Sequence, residues 1–116
     1  MPNVVMEYSD SIEERVNVQA LLEDLHHATI DSGLFQAMDV KSRTLRPHNW
    51  LIGDKADTVD FIHVTVELLS GRTVEQKQAL SQAIMAALRG KADFVAILTV
   101  NIRDMDRECF QKVVNF

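Results

Sequence analysis

The order strand, helix, strand is written twice along this chain, at an offset of about 58 residues, and that internal repeat restricts the fold more than any other feature. In the first half, Asn3 to Tyr8 is short, apolar and β-branched and runs into the turn chemistry of Ser9-Asp10-Ser11, which predicts a strand. Val18, Leu21, Leu22, Leu25 and Ala28 then recur at helical spacing, with Asn17 in front as N-cap and Gly33 behind as the stop. Ala37 to Leu45 reads as a second strand ended by Pro47. His48 to Asp60 reads as a loop in which Trp50 packs a turn onto the core. In the second half, Phe61 to Leu69 alternates Ile62, Val64, Val66 and Leu68 with His63, Thr65 and Glu67, the pattern of a strand with one more polar face. Ser70-Gly71-Arg72 makes the turn. Thr73 and Gln76 form a capping box ahead of Leu80, Ala83, Ile84, Ala87 and Leu88, and Gly90 is expected to close that helix. Phe94 to Arg103 predicts the fourth strand, while the stretch from Arg103 to Phe116 carries no single pattern.

Two such units with right-handed crossovers give an α+β fold of duplicated βαβ units: a four-stranded mixed sheet with both helices on one face. The opposite face is then bare. Val95-Ala96-Ile97-Leu98, apolar without alternation, reads as strand buried on both sides, so self-association over the bare face is expected. With 116 residues, 47% hydrophobic and 25% charged, the chain is expected to form one domain, 1–116, of two pseudo-repeats, 1–58 and 59–116. A net charge of −5 opposes nucleic acid binding. No apolar run approaches the roughly 18 residues of a membrane span and the start lacks a basic leader, so no membrane association and a cytoplasmic location are expected. The single cysteine, Cys109, fits a reducing compartment and reads as a small packing residue.

Gly-rich phosphate loops, paired cysteines and a Gly-x-Ser-x-Gly elbow are all missing from the sequence. His26 and His27 are adjacent on the first helix, diverge by about 100° and cannot chelate one metal as an i, i+4 pair does; no metal site is expected. His48 and His63 read as hydrogen-bonded structural histidines. Pro2 has two readings. Proline is tolerated at the start of a strand, where its missing N–H breaks no ladder bond. Alternatively, removal of Met1 leaves Pro2 with a free secondary amine that can shuttle protons, provided that burial and nearby cations lower its pKa. Three cations are candidates for that neighbourhood and for binding an acidic substrate: Lys41 and Arg43, two apart on the second strand and so on one face, and Arg72 in the turn before the second helix. Each alone also reads as a solvated surface charge.

These residues resemble the 5-carboxymethyl-2-hydroxymuconate isomerases of the tautomerase superfamily. The matching pieces are Met1-Pro2 through Glu7-x-Ser9-Asp10, Ser32-Gly33-Leu34-Phe35, Lys41-Ser42-Arg43, Phe61-Ile62-His63-Val64-Thr65, and Ser70-Gly71-Arg72 with the helix after it. The resemblance implies a homotrimer with no cofactor and with the amino-terminal proline as proton shuttle. It also implies a 1,3-allylic proton shift that converts a 2-hydroxymuconate-type dienol, a di- or tricarboxylate, into its conjugated 2-oxo acid in homoprotocatechuate breakdown. By position, Pro2 would be the catalytic base and acid, and Arg72 matches an active-site arginine. Lys41 stands where related members carry another arginine, which keeps the charge and loses the bidentate fork. The alternative is a tautomerase-fold trimer that binds a small organic acid without this turnover.

Overall fold

The computed structural model describes residues 1–54 and 59–116. In it, strands β1 (Asn3–Tyr8), β2 (Lys41–Leu45), β3 (Phe61–Leu69) and β4 (Ile97–Met105) form one sheet in the order β2-β1-β3-β4. β1 and β2 run parallel, as do β3 and β4, and the two units meet antiparallel at β1 and β3. This is a mixed sheet of two βαβ units joined side by side through β1 and β3. Helices α1 (Val18–Asp31) and α2 (Val74–Ala92) cover one face. Because side chains alternate along a strand, Val4, Met6, Tyr8, Ile62, Val64, Val66 and Leu68 all point to the helices. There they meet Leu21 and Leu25 of α1 and Leu80, Ile84 and Leu88 of α2.

Both helices begin as their sequences foretell. The Asn17 side chain accepts from the Ala20 N–H at 3.1 Å. At α2, Thr73 accepts from the Gln76 N–H at 3.1 Å while the Gln76 side chain accepts from the Thr73 N–H at 2.9 Å. Gly33 follows α1 with φ of 74°, a left-handed conformation that costs glycine nothing. Gly90, expected to stop α2, instead lies inside it. The stripe Leu80, Ile84, Leu88 continues at the same spacing to the buried Ala92, and that packing carries the helix past the glycine.

Two strand starts also differ. The strand expected from Ala37 begins at Lys41, because Ala37–Asp39 closes a single 3₁₀ turn through Asp39 N–H to the Gln36 carbonyl. The fourth strand begins at Ile97 rather than Phe94. Val95 and Ala96 precede it, and Phe94 lies under the Arg15 guanidinium, 3.9 Å from the ring centre. The run Val95 to Leu98 is therefore not a strand buried on both faces: Val95 is in the core, Ala96 is exposed, and Leu98 packs on the helix side. Cys109 is exposed rather than packed, held in a 3₁₀ turn, Arg107–Cys109, that Asp106 caps. Of the loop expected over His48–Asp60, residues 55–58, and with them the boundary between the pseudo-repeats, lie outside the described residues. Trp50 does pack as foreseen, edge-on to Phe61, with its Nε1 donating to the Val59 carbonyl at 3.1 Å.

The far face of the sheet is mixed: Asn3 and Glu7 from β1, Lys41 and Arg43 from β2, His63, Thr65 and Glu67 from β3, and Thr99, Asn101 and Arg103 from β4 share it with Val5, Leu45, Phe61, Leu69, Ile97 and Met105. His63 is hydrogen-bonded there to Thr99 at 2.6 Å and to Thr65 at 3.2 Å. At the other end of β1, the buried Tyr8 hydroxyl donates to Glu13 at 2.5 Å. Burial first, and that carboxylate second, push the phenol up to about 12. The contribution of Tyr8 to stability is thus complete below the ordinary phenol value of about 10 and is lost as pH rises toward 12. Because Tyr8 is the one tyrosine in the chain, ultraviolet titration should show phenolate only above the ordinary range. Titration at the free-phenol value in the folded protein would contradict this.

Candidate active site

The start of β1 buries Pro2, and the parallel register sets Asn3 beside Lys41, whose N–H donates to the Pro2 carbonyl at 3.1 Å. The backbone thereby ties the first residues of the two strands together. The Lys41 side chain folds back so that its Nζ donates to the Asp39 carbonyl at 3.2 Å. From the other half of the chain, Gly71 turns with φ of 126° and delivers Arg72 to the same end of the sheet. The Arg72 guanidinium donates to the carbonyls of Leu69 (3.2 Å) and Leu34 (3.0 Å) and lies 4.9 Å from the Phe35 ring centre. Two of its five donors are committed to backbone, which fixes the plane of the fork and leaves the rest available to an acid.

Two residues that the sequence did not single out complete this end of the molecule. The turn Ala37–Asp39 presents the Asp39 carboxylate, which accepts from Lys112 Nζ of the tail at 2.7 Å. The amino group of Met1 lies among these charges, and its pKa is lowered. Burial is the first cause; Asp39 opposes it, and Lys41, Lys112 and Arg72 reinforce it. Lys41 and Arg72 are thus gathered at the amino terminus. Arg43 lies one pleat further along β2, opposite Val5 and exposed. Lys112 had no signal in the sequence, since it sits in a stretch without periodicity and its partner is 73 residues away.

Away from this end, a small concavity lies where Gln19, Leu22, Glu23 and His26 of α1 face Ser42 of β2, and His26 Nδ1 is hydrogen-bonded to the Ser42 hydroxyl at 2.7 Å. Among the described residues, no group of three His, Cys, Asp or Glu side chains is placed to hold a metal ion. No helix among them is long and apolar enough to cross a membrane.

A duplicated βαβ sheet with two helices on one side is the tautomerase fold, and solved structures of that fold superpose over nearly the whole chain. A 5-carboxymethyl-2-hydroxymuconate isomerase from Deinococcus radiodurans R1 matches with a TM-score of 0.87 at 22% identity, covering 98% of this chain and 90% of its own. A 5-carboxymethyl-2-hydroxymuconate delta-isomerase matches at 0.84 and 17% identity, over 99% of this chain and 89% of its own. A fused 4-OT, a symmetric trimer, matches at 0.80 and 22% identity, over 97% and 92%. No curated relative matches the sequence. The sequence profile of the 5-carboxymethyl-2-hydroxymuconate isomerases matches residues 2–112, so the chain belongs to that family. It is an isomerase of the tautomerase type.

Proposed function

We propose that this isomerase, working without a cofactor, converts a 2-hydroxymuconate-type dienol into its conjugated 2-oxo acid in homoprotocatechuate catabolism, with Pro2 as base and acid. The observation that carries the reading is the gathering of Lys41, Lys112 and Arg72 around a partly desolvated amino terminus. A chain processed at Met1 presents there a secondary amine, and the burial and cations that lower the Met1 amine act on it in the same direction. That amine accepts the proton of the 2-hydroxyl. The 2-oxygen becomes a carbonyl as the electrons of the diene shift, and the proton returns to carbon, leaving the remaining double bond conjugated with the new ketone. Negative charge on the 2-oxygen is stabilised by a fixed cation, the role proposed for Arg72, while Lys41 and Arg43 serve the carboxylates.

The working molecule in this reading is a homotrimer. Its support is the sheet face that carries no helix, the two edge strands β2 and β4, and the trimeric state of the fused 4-OT of like fold. Light scattering should give three times the chain mass. The direct test is a spectrophotometric ketonisation assay on 5-carboxymethyl-2-hydroxymuconate and 2-hydroxymuconate, with the mature amino terminus read by mass spectrometry. Enzyme-dependent ketonisation by a chain that begins at Pro2 is the expected result. Saturable binding without turnover would favour a trimer that merely binds an organic acid.

A further inference from the structure

Beside the amino terminus, the turn before β2 and the last residues of the chain enclose a cavity of about 180 Å³, lined by Met38, Asp39, Lys41, Lys112, Val114 and Phe116. Two ammonium groups and one carboxylate stand among three apolar side chains. Asp39 meets both cations, accepting from Lys112 on its carboxylate at 2.7 Å and from Lys41 on its backbone carbonyl at 3.2 Å. The side chains of the lining therefore hold one positive charge in excess. Phe116 is 95% exposed and Val114 52%, so the tail leaves uncovered apolar surface next to its ammonium group.

We infer that Lys112 is the specificity determinant for a second, remote carboxylate of the substrate, and that Asp39 occupies that carboxylate's place on Lys112 while the site is empty. The inference rests on the isomerase reading, since it extends the same site. Three observations carry it. The Lys112–Asp39 pair is partly exposed, 37% and 32% at the two side chains, and such a pair is held weakly enough to be exchanged. Exchanging Asp39 for an incoming carboxylate keeps a charge-assisted hydrogen bond on Lys112 throughout. Met38, Val114 and Phe116 offer an apolar lining for the carbon chain between two acid groups, while a monoacid anchored at Arg72 has no group to displace Asp39.

The test is titration calorimetry on the full chain with two probes of the same six-carbon diene: muconate, with a carboxylate at each end, and sorbate, with one. The wild type should bind muconate about tenfold or more tightly than sorbate. Lys112→Ala should erase that preference and leave sorbate within about twofold. Asp39→Asn should act in the opposite direction and tighten muconate, because it removes a competing negative charge while Lys112 keeps its own. A mere latch for the tail would make both substitutions weaken both acids alike, and that result overturns the inference, as would equal affinities or undetectable muconate binding in the wild type. In turnover, measured on the alkaline plateau of the pH profile, Lys112→Ala should raise KM for the tricarboxylate dienol by a larger factor than it lowers kcat. Absent ketonisation alongside an intact Lys112-dependent muconate preference would instead overturn the ketonisation reading and leave this one standing.

Discussion

Blocking the nitrogen of Pro2 with any residue left in front of it should lower ketonisation by about 10²–10⁴-fold, the range that a positioned acid–base group contributes. An amide nitrogen has no basic lone pair, so the blocked chain keeps every side chain of the site and loses the proposed proton carrier. The fold should survive, because the contact that ties this end together, Lys41 N–H to the Pro2 carbonyl, is unaffected by what precedes Pro2. Pro2→Ala, processed to a primary amine of different basicity and geometry, should fall between the blocked and parent enzymes. The pH profile supplies the sign. Burial, Lys41, Lys112 and Arg72 lower the terminal amine against the opposition of Asp39, and processing moves the amine to the buried Pro2 position. Activity should then rise with pH and level off at a lower pH than an unperturbed prolyl amine would give. Asp39→Asn should move that limb further down, and Lys112→Ala should move it up. Undiminished turnover by a chain blocked ahead of Pro2 would place the base elsewhere.

How far the sequence speaks for this molecule depends on how local each determinant is. The alternation of Phe61 to Leu69 and the capping box of Thr73 and Gln76 are decided within a few residues, and both appear in the structure as read. Gly90 reads as a stop because glycine is a stop signal by propensity alone. Here the buried face of Leu80, Ile84, Leu88 and Ala92, a tertiary matter, outweighs its cost of about 1 kcal/mol. The 3₁₀ turn at Ala37–Asp39 lies inside what reads as a strand, and that turn sets Asp39 beside Lys112 and the amino terminus. Lys41 and Arg72 could be singled out from sequence, Lys41 as one of two cations on one strand face, with Arg43, and Arg72 in the Gly turn before the second helix. Asp39 and Lys112 could not, since a contact between a turn and an aperiodic tail leaves no mark in either segment.

Arg72 should separate charge from geometry. If its free donors hold a substrate carboxylate or the developing oxyanion, Arg72→Ala should cost roughly 1.5–3 kcal/mol of transition-state stabilisation, or about ten- to hundredfold in kcat/KM. The structure adds that part of any loss would be indirect, because the same guanidinium donates to Leu69 and Leu34 and lies against Phe35. Those bonds join the β3–α2 turn to the segment after α1, so truncation should also loosen the two halves at this end and lower the melting temperature. Arg72→Lys resolves the mixture. An ammonium retains the charge but has no planar fork, so it cannot keep both backbone carbonyls and still offer parallel donors to an acid. Its expected signature is a loss of about tenfold in kcat/KM with a smaller change in melting temperature than the alanine variant shows. The reciprocal change at Lys41 tests the same idea from the other side. Lys41→Arg restores a fork where the family resemblance expects one, and should raise activity on 5-carboxymethyl-2-hydroxymuconate relative to a dienol without the carboxymethyl group. A flat activity ratio, with Arg72→Lys as active as the parent, would mean that these cations supply a field and no bidentate contact.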